Sequence, residues 1–140
     1  MTGPDFTTEL GQRALERLAA EQVVWLTTVT AKGAPQPSPV WFLWHDDTVL
    51  VYSQPHAPKV RAIRQNPQVA LSFNTTPTGG NVVIFRGTAE LVLPSPLPST
   101  HDAFMAKYRP SMQGPEVTEA SFDAEYSQLI RVSLIRLRGF

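Results

Sequence analysis

Apolar and polar positions divide this chain into short segments of different period. Over residues 9–21, Leu10, Ala14 and Leu18 fall on one face of a helix, with Arg13, Glu16 and Arg17 on the other. Thr7 or Thr8 stands where a cap is needed, and Glu9 lies in the first turn. Residues 23–30 are rich in β-branched side chains, and Ala31-Lys32-Gly33-Ala34-Pro35 breaks that run before an extended stretch over 36–45, which predicts a hairpin. Asp46-Asp47 is a turn into a third strand over 48–54. Pro55-His56-Ala57-Pro58 then leads into a short helix over 59–66 that Pro67 stops. Alternation over 69–73 predicts another strand, and Thr75-Thr76-Pro77-Thr78-Gly79-Gly80 a loop.

The run over 82–93 is longer than an ordinary strand of about 5–6 residues, and Gly87 in its middle predicts a bulge or bend of the kind a barrel wall needs. After Pro94, Pro96 and Pro98, Ser99 or Thr100 is placed to cap a helix reaching Tyr108. A further helix is expected over 118–128, with its acidic residues Glu116, Glu119, Asp123 and Glu125 facing solvent. The last strand, 129–137, puts Ile130, Val132 and Leu134 on one face and changes phase near Ile135. Strands curling into one barrel with flanking helices, a mainly β member of the α+β class, fit this order. No internal repeat or domain boundary interrupts it, so residues 1–140 are expected to form one domain, with the first eight or so residues loose.

One segment departs from the pattern. Pro39-Val40-Trp41-Phe42-Leu43-Trp44 is apolar at every position, so both faces of that strand need cover. The barrel interior supplies one. A flat ligand, a second subunit or a helix must supply the other, and a central strand lying under a helix meets the requirement equally well.

Composition narrows the function. The chain has 140 residues, 12 basic and 12 acidic side chains and no cysteine. A net charge of +0 gives no field to hold nucleic acid or an anionic membrane. The lack of cysteine removes disulfides, thiolate ligands and a cysteine nucleophile, and suits a reducing compartment such as the cytoplasm. No apolar run approaches the roughly 18 residues a membrane span requires. His45, His56 and His101 have no ligand spacing, and no Gly-x-Ser-x-Gly, Gly-x-Gly-x-x-Gly or Walker-type loop is present, so metal, hydrolase and nucleotide-triphosphatase chemistry lack their usual residues. What remains is the strand-to-helix junction over 51–61, VYSQPHAPKVR, where hydroxyl, amide and cationic groups gather at a helix start, a place suited to phosphate. Lys59 and Arg61 there read equally as solvated surface charges.

The stretch over 51–73, VYSQPHAPKVRAIRQNPQVALSF, resembles the strand, phosphate loop and helix of the pyridoxamine 5′-phosphate oxidase-like family, and the order of elements over residues 9–137 matches as well. The resemblance implies a split β-barrel of the FMN-binding type, with six or seven strands. It also implies a homodimer holding a flavin or deazaflavin in a groove between subunits. It places Lys59 on the phosphate-binding lysine and Tyr52 and Ser53 on the strand-end groups lining the phosphate. Pro39, Val40, Trp41 and Phe42 fall on the strand that meets the tricyclic ring, and Asn81 lies near an amide that reaches it. The lysine follows Ala57 and Pro58 where the flavin-using oxidases have serine and arginine, and Pro39 replaces an expected arginine. Several grips on FMN are therefore missing, and the Pro-Val-Trp-Phe strand with a single lysine resembles the branch that uses coenzyme F420, a deazaflavin carrying a phosphate and an oligoglutamate tail. Arg61 and Arg64 would supply charge for that tail. The resemblance thus implies an F420-dependent oxidoreductase acting on a small molecule. FMN is the alternative cofactor, and a non-catalytic carrier of F420, flavin or haem the alternative role.

Overall fold

The computed structural model describes residues 3–140. Its frame is one antiparallel sheet of seven strands: β1 (Val23–Val29), β2 (Pro35–Trp41), β3 (Leu43–His45), β4 (Thr48–Ser53), β5 (Gln68–Ser72), β6 (Val83–Leu91) and β7 (Gln128–Gly139). Across the sheet the order is β2-β1-β5-β6-β7-β4-β3.

That order explains how the sheet curls. The extended stretch expected over 36–45 is two strands rather than one. β2 and β3 lie at opposite edges of the sheet with only Phe42 between them, so the two edges must meet there and the sheet closes on itself. No ladder joins β2 to β3 or β4, which leaves the seam open and makes this the split barrel expected. A residue crossing a seam has no ladder partners, and buried backbone groups without partners are costly. The Phe42 N–H donates to the Tyr108 hydroxyl at 2.8 Å, and its carbonyl accepts from Lys107 Nζ at 2.9 Å. The Tyr108 hydroxyl, 2.7 Å from the Gln22 carbonyl, has that acceptor for its own proton.

The bend expected at Gly87 is present. Arg86 pairs with Arg136 and Gly87 with Leu134, so Ile135 is the extra residue of a bulge, and this is the phase change seen in the sequence. A Cβ on Gly87 would stand 2.7 Å from the Ser133 carbonyl oxygen, which is why the bend carries glycine. The turn between β3 and β4 has both central residues, Asp46 and Asp47, at positive φ (50° and 60°), as a two-residue hairpin of this hand requires.

Four helices flank the barrel: α1 (Glu9–Ala20), α2 (Pro58–Gln65), α3 (Asp102–Tyr108) and α4 (Glu119–Glu125). Thr8 caps α1 by accepting from the Gly11 N–H at 2.9 Å, and Ala14 and Leu18 are buried in the core as the periodicity predicts. Arg17 is buried too. It donates to the Asn74 and Asn81 carbonyls at 2.6 and 2.8 Å and so ties the loop between β5 and β6 to α1. Phe6 stands 5.9 Å from Trp44 and 6.2 Å from Phe85, ring centre to ring centre, so the segment before α1 lies against the barrel at Phe6; residues 1 and 2 of the segment expected to be loose lie outside the described residues. The expected cap of α3 shifts. His101 Nδ1 accepts from the Phe104 N–H at 3.3 Å, and Ser99 and Thr100 belong to a preceding 3-10 turn.

The core has two parts. The barrel interior is filled by Leu26, Phe42, Leu71, Phe85 and Ile130 among others. A second cluster, with Leu43, Tyr52, Phe104, Tyr108 and Phe122, lies between the outside of the β4 edge and the layer of α3 and α4. Among the described residues no helix is long and apolar enough to cross a membrane.

Candidate functional site

β4 ends in Tyr52 and Ser53, both buried and both paired to β7 through Leu129 and Gln128. After a four-residue turn, Gln54 to Ala57, Pro58 opens α2 as its first residue, where its missing N–H costs nothing, and Lys59 follows in the first turn. The ladder fixes the first two side chains and the proline-set helix start fixes the third. All three residues line a cavity of about 420 Å³, whose lining also takes in Pro39, Val40 and Trp41 from β2.

Two of these groups lack partners. Lys59 forms no ion pair and no hydrogen bond among the described residues, and burial pushes its ammonium below the usual lysine range. The Tyr52 hydroxyl is buried without a partner, and its residue is only 6% exposed. Burial, and then the Asp123 carboxylate, push its pKa up, so it remains a protonated donor. Ser53 Oγ, in contrast, is spent on the Gln54 carbonyl at 3.0 Å. A cation and a buried O–H at one end of a cavity favour an anionic, oxygen-rich group, because each otherwise stays desolvated with nothing to bond.

The other end is aromatic. The Trp41 indole is stacked on Tyr108 at 4.5 Å and 7°, and on Phe122 at 5.5 Å and 14°. Phe122 in turn stacks on Tyr126 at 4.5 Å and 20°. The cover required for the apolar strand is thus supplied from within the chain: α3 and α4 for Trp41, Phe6 for Trp44. Val117, Phe122 and Tyr126 complete the cavity wall.

Of the residues singled out in the sequence, the structure brings Pro39, Val40, Trp41, Tyr52, Ser53 and Lys59 around one cavity. It does not bring the other three there. Phe42 is fully buried in the seam with both backbone groups engaged. Arg61 is exposed, and its guanidinium donates to the His56 carbonyl at 2.6 Å. Asn81, at φ 55°, accepts from Arg13 at 2.8 Å at the start of β6. The residues the sequence reading passed over are Phe122 and Tyr126. Their signal was present: two aromatics at i and i+4 in an otherwise acidic segment mark a buried helix face. Asp123, expected in solvent, instead accepts from the Ser99 N–H at 2.9 Å and from the Ser99 hydroxyl.

No histidine, aspartate or glutamate lines the cavity. It offers one ammonium, π-faces and the phenols of Tyr52 and Tyr126, so no carboxylate or imidazole is in place as a general base.

Solved structures sharing the fold include an F420 reductase (TM-score 0.67, 23% identity, covering 88% of this chain and 94% of that one). A FAD-binding protein from Mesorhizobium loti gives a TM-score of 0.67 at 18% identity, covering 90% and 88%. A haem storage protein from Vibrio cholerae gives 0.60 at 17%, covering 94% and 93%. No curated protein matches the chain. The model of the pyridoxamine 5′-phosphate oxidase family matches residues 10–138, nearly the whole of the barrel and its helices, and the chain belongs to that family.

Proposed function

We propose that this protein is an oxidoreductase that holds coenzyme F420 in the cavity between β2, β4 and α2 and passes a hydride to or from a small organic substrate. The observation that carries this reading is the pair of unpartnered donors, Lys59 Nζ and the buried Tyr52 hydroxyl, on residues that line the same cavity as Val40 and Trp41. When bound, the deazaflavin supplies or accepts the hydride. The chain's residues do the rest: Lys59 and Tyr52 hold the phosphate, Ser53 and Pro39 shape its surroundings, and Val40 and Trp41 flank the ring and keep water from it. Arg61 and Asn81 lie outside this cavity and act, in this reading, on parts of the ligand that extend beyond it. A single free ammonium favours one phosphodiester over the more heavily gripped terminal phosphate of FMN. FMN is the second reading, supported by the same two donors and by the FAD-binding neighbour.

The working form in this proposal is a cytoplasmic homodimer. Its support is the outer face of the sheet, where the register sets Pro39, Trp25, Ser72 and Ile84 in one row across four strands with no helix above them. Trp25 and Pro39 are exposed in that row, an apolar surface that a second copy would cover.

Titration of the apo-protein with F420 and with FMN, followed by fluorescence on wild type and Lys59→Ala, tests the reading. Preferential binding of the deazaflavin, weakened about tenfold or more by the substitution, is expected from the loss of one charge-assisted contact. Preference for FMN moves the assignment to the second reading. Binding without turnover of any acceptor makes the protein a carrier, and binding of neither cofactor overturns the proposal.

A further inference from the structure

α4 is attached to the rest of the molecule through side chains, unlike the cavity walls β2 and β4, which are held in the sheet by backbone ladders. Among the described residues no backbone hydrogen bond joins residues 113–126 to the rest of the chain; the bonds made there, Phe122 N–H to the Thr118 carbonyl and Tyr126 N–H to the Phe122 carbonyl, stay inside the segment. A capping box between Thr118 and Ser121 closes its N-terminus on itself. Side chains hold it: the exposed pair Arg109–Glu119 at 3.2 Å, Phe122 stacked on Trp41 and packed against Phe104, and Asp123 accepting both the N–H and the hydroxyl of Ser99.

The stack also has a direction. Tyr108, Trp41, Phe122 and Tyr126 form a continuous ladder of near-parallel rings, with angles of 7°, 14° and 20° between neighbours. Tyr108 ends it in the core. Tyr126 ends it at the cavity, half buried, and no further aromatic ring of the described residues covers its other face. An apolar π-face at the end of such a ladder is a platform for one more planar ring.

We propose that α4 is the ring-selecting wall of the site. Phe122 and Tyr126 determine which planar conjugated group is taken in beside the phosphate anchor, and Asp123, through Ser99, is the positioning residue that sets their distance from Trp41. The proposal rests on the reading of the cavity as a phosphate-and-ring site, and adds to it the residues that choose the ring. Because the wall is tied by side chains alone, its position is open to change without disturbing the β4–β7 ladder that carries Tyr52 and Ser53.

The test separates ring from phosphate. The probes are the three-ring phosphates F420 and FMN, the one-ring phenyl phosphate and inorganic phosphate, titrated against wild type, Tyr126→Ala, Tyr126→Phe and Asp123→Ala. The expected result is a loss of about tenfold in affinity for the better three-ring ligand in Tyr126→Ala and Asp123→Ala, retention in Tyr126→Phe, and inorganic phosphate binding unchanged in the Tyr126 variants and not weakened in Asp123→Ala, which takes a carboxylate away from the Tyr52 hydroxyl. Equal weakening of all probes, or no change for the three-ring ligands, overturns the proposal. Wild type that binds none of the probes overturns the underlying reading, and is recognised before any variant is compared.

A ligand-free readout addresses the positioning role separately. With Trp25 and Trp44 replaced by phenylalanine, Trp41 is the remaining tryptophan. Its emission should shift to the red in Asp123→Ala, as Phe122 leaves its face, and return toward the parent value in Asp123→Asn, which keeps one acceptor for Ser99. Unchanged emission in Asp123→Ala removes the positioning role from Asp123.

Discussion

α3 and α4 are both seven residues long and both cover the same tryptophan, yet they are fastened to the barrel by different means. α3 buries Phe104, Met105 and Tyr108 and reaches the backbone of the seam: Tyr108 and Lys107 satisfy both polar groups of the Phe42 peptide. α4 buries only Phe122 and touches no backbone group of the barrel except the Ser99 N–H. The contrast teaches which helix the fold depends on. A barrel whose two edges meet at one residue needs that residue's peptide bonded, so α3 is part of the closure, whereas α4 is an attachment whose removal leaves every ladder intact.

Tyr108→Phe is the sharpest way to break the contrast. It removes the acceptor for the Phe42 N–H and the donor to the Gln22 carbonyl while keeping the ring stacked on Trp41. Leaving buried peptide groups unpaired costs about 2–4 kcal/mol. The urea midpoint should fall with the slope unchanged. A loss below roughly 0.5 kcal/mol would mean that water serves the seam as well as the hydroxyl does, and that α3 is no more structural than α4.

The same two side chains predict a pH signature that α4 does not share. Burial lowers Lys107 to about 8 and raises Tyr108 to about 12. Between pH 8 and the ordinary lysine value of 10.5, the unfolded chain holds more protons at Lys107 than the folded one, so stability rises with pH there. Above the ordinary tyrosine value of 10.0 and up to about 12, the folded chain holds more protons at Tyr108, so stability falls. Lys59 adds to the rising limb and Tyr52 to the falling one. Stability should therefore pass through a maximum near pH 10, with both limbs shallow because these groups are partly solvated. Lys107→Met should flatten the rising limb without moving the falling one. Unfolding midpoints measured from pH 7 to 12 decide it, and a rising limb untouched by the substitution would take Lys107 out of the seam's electrostatics.

Much of this was legible in the sequence, for reasons that differ by region. The hairpin of β1 and β2, the cap at Thr8, the bulge at Gly87 and the phase change at Ile135 are local signals, set by β-branching, a hydroxyl, a missing Cβ and alternation. The strand-to-helix junction at Tyr52, Ser53 and Lys59 is local too, and these three with Pro39, Val40 and Trp41 line one cavity. The seam was not legible. An unbroken apolar run gives no sign that Phe42 separates two strands at opposite edges, because that follows from the pairing of β7 with β4 some 80 residues away. The role of α4 was hidden for the same reason. Asp123 reads as one carboxylate among several until the fold brings it to Ser99, and Phe122 and Tyr126 read as a helix face until Trp41 is seen beneath them.

The smallest effect sharpens the comparison from the side of α4. Glu119 and Arg109 are about half exposed, with side-chain exposures of 49% and 57%, and an ion pair in that setting contributes about 0–0.5 kcal/mol. Glu119→Gln should leave the global unfolding midpoint within that range, and added salt should not separate it from wild type, because screening removes what little the pair supplies. Amide exchange in residues 119–125 is the more telling measurement. Because α4 buries one side chain where α3 buries three, it opens locally, and exchange there should run well ahead of α3 in wild type and quicken slightly in the variant. Exchange in α4 as slow as in α3 would mean that the two helices are released together. The wall and the seam would then be one cooperative unit, and α4 could not adjust to a ligand without opening the barrel.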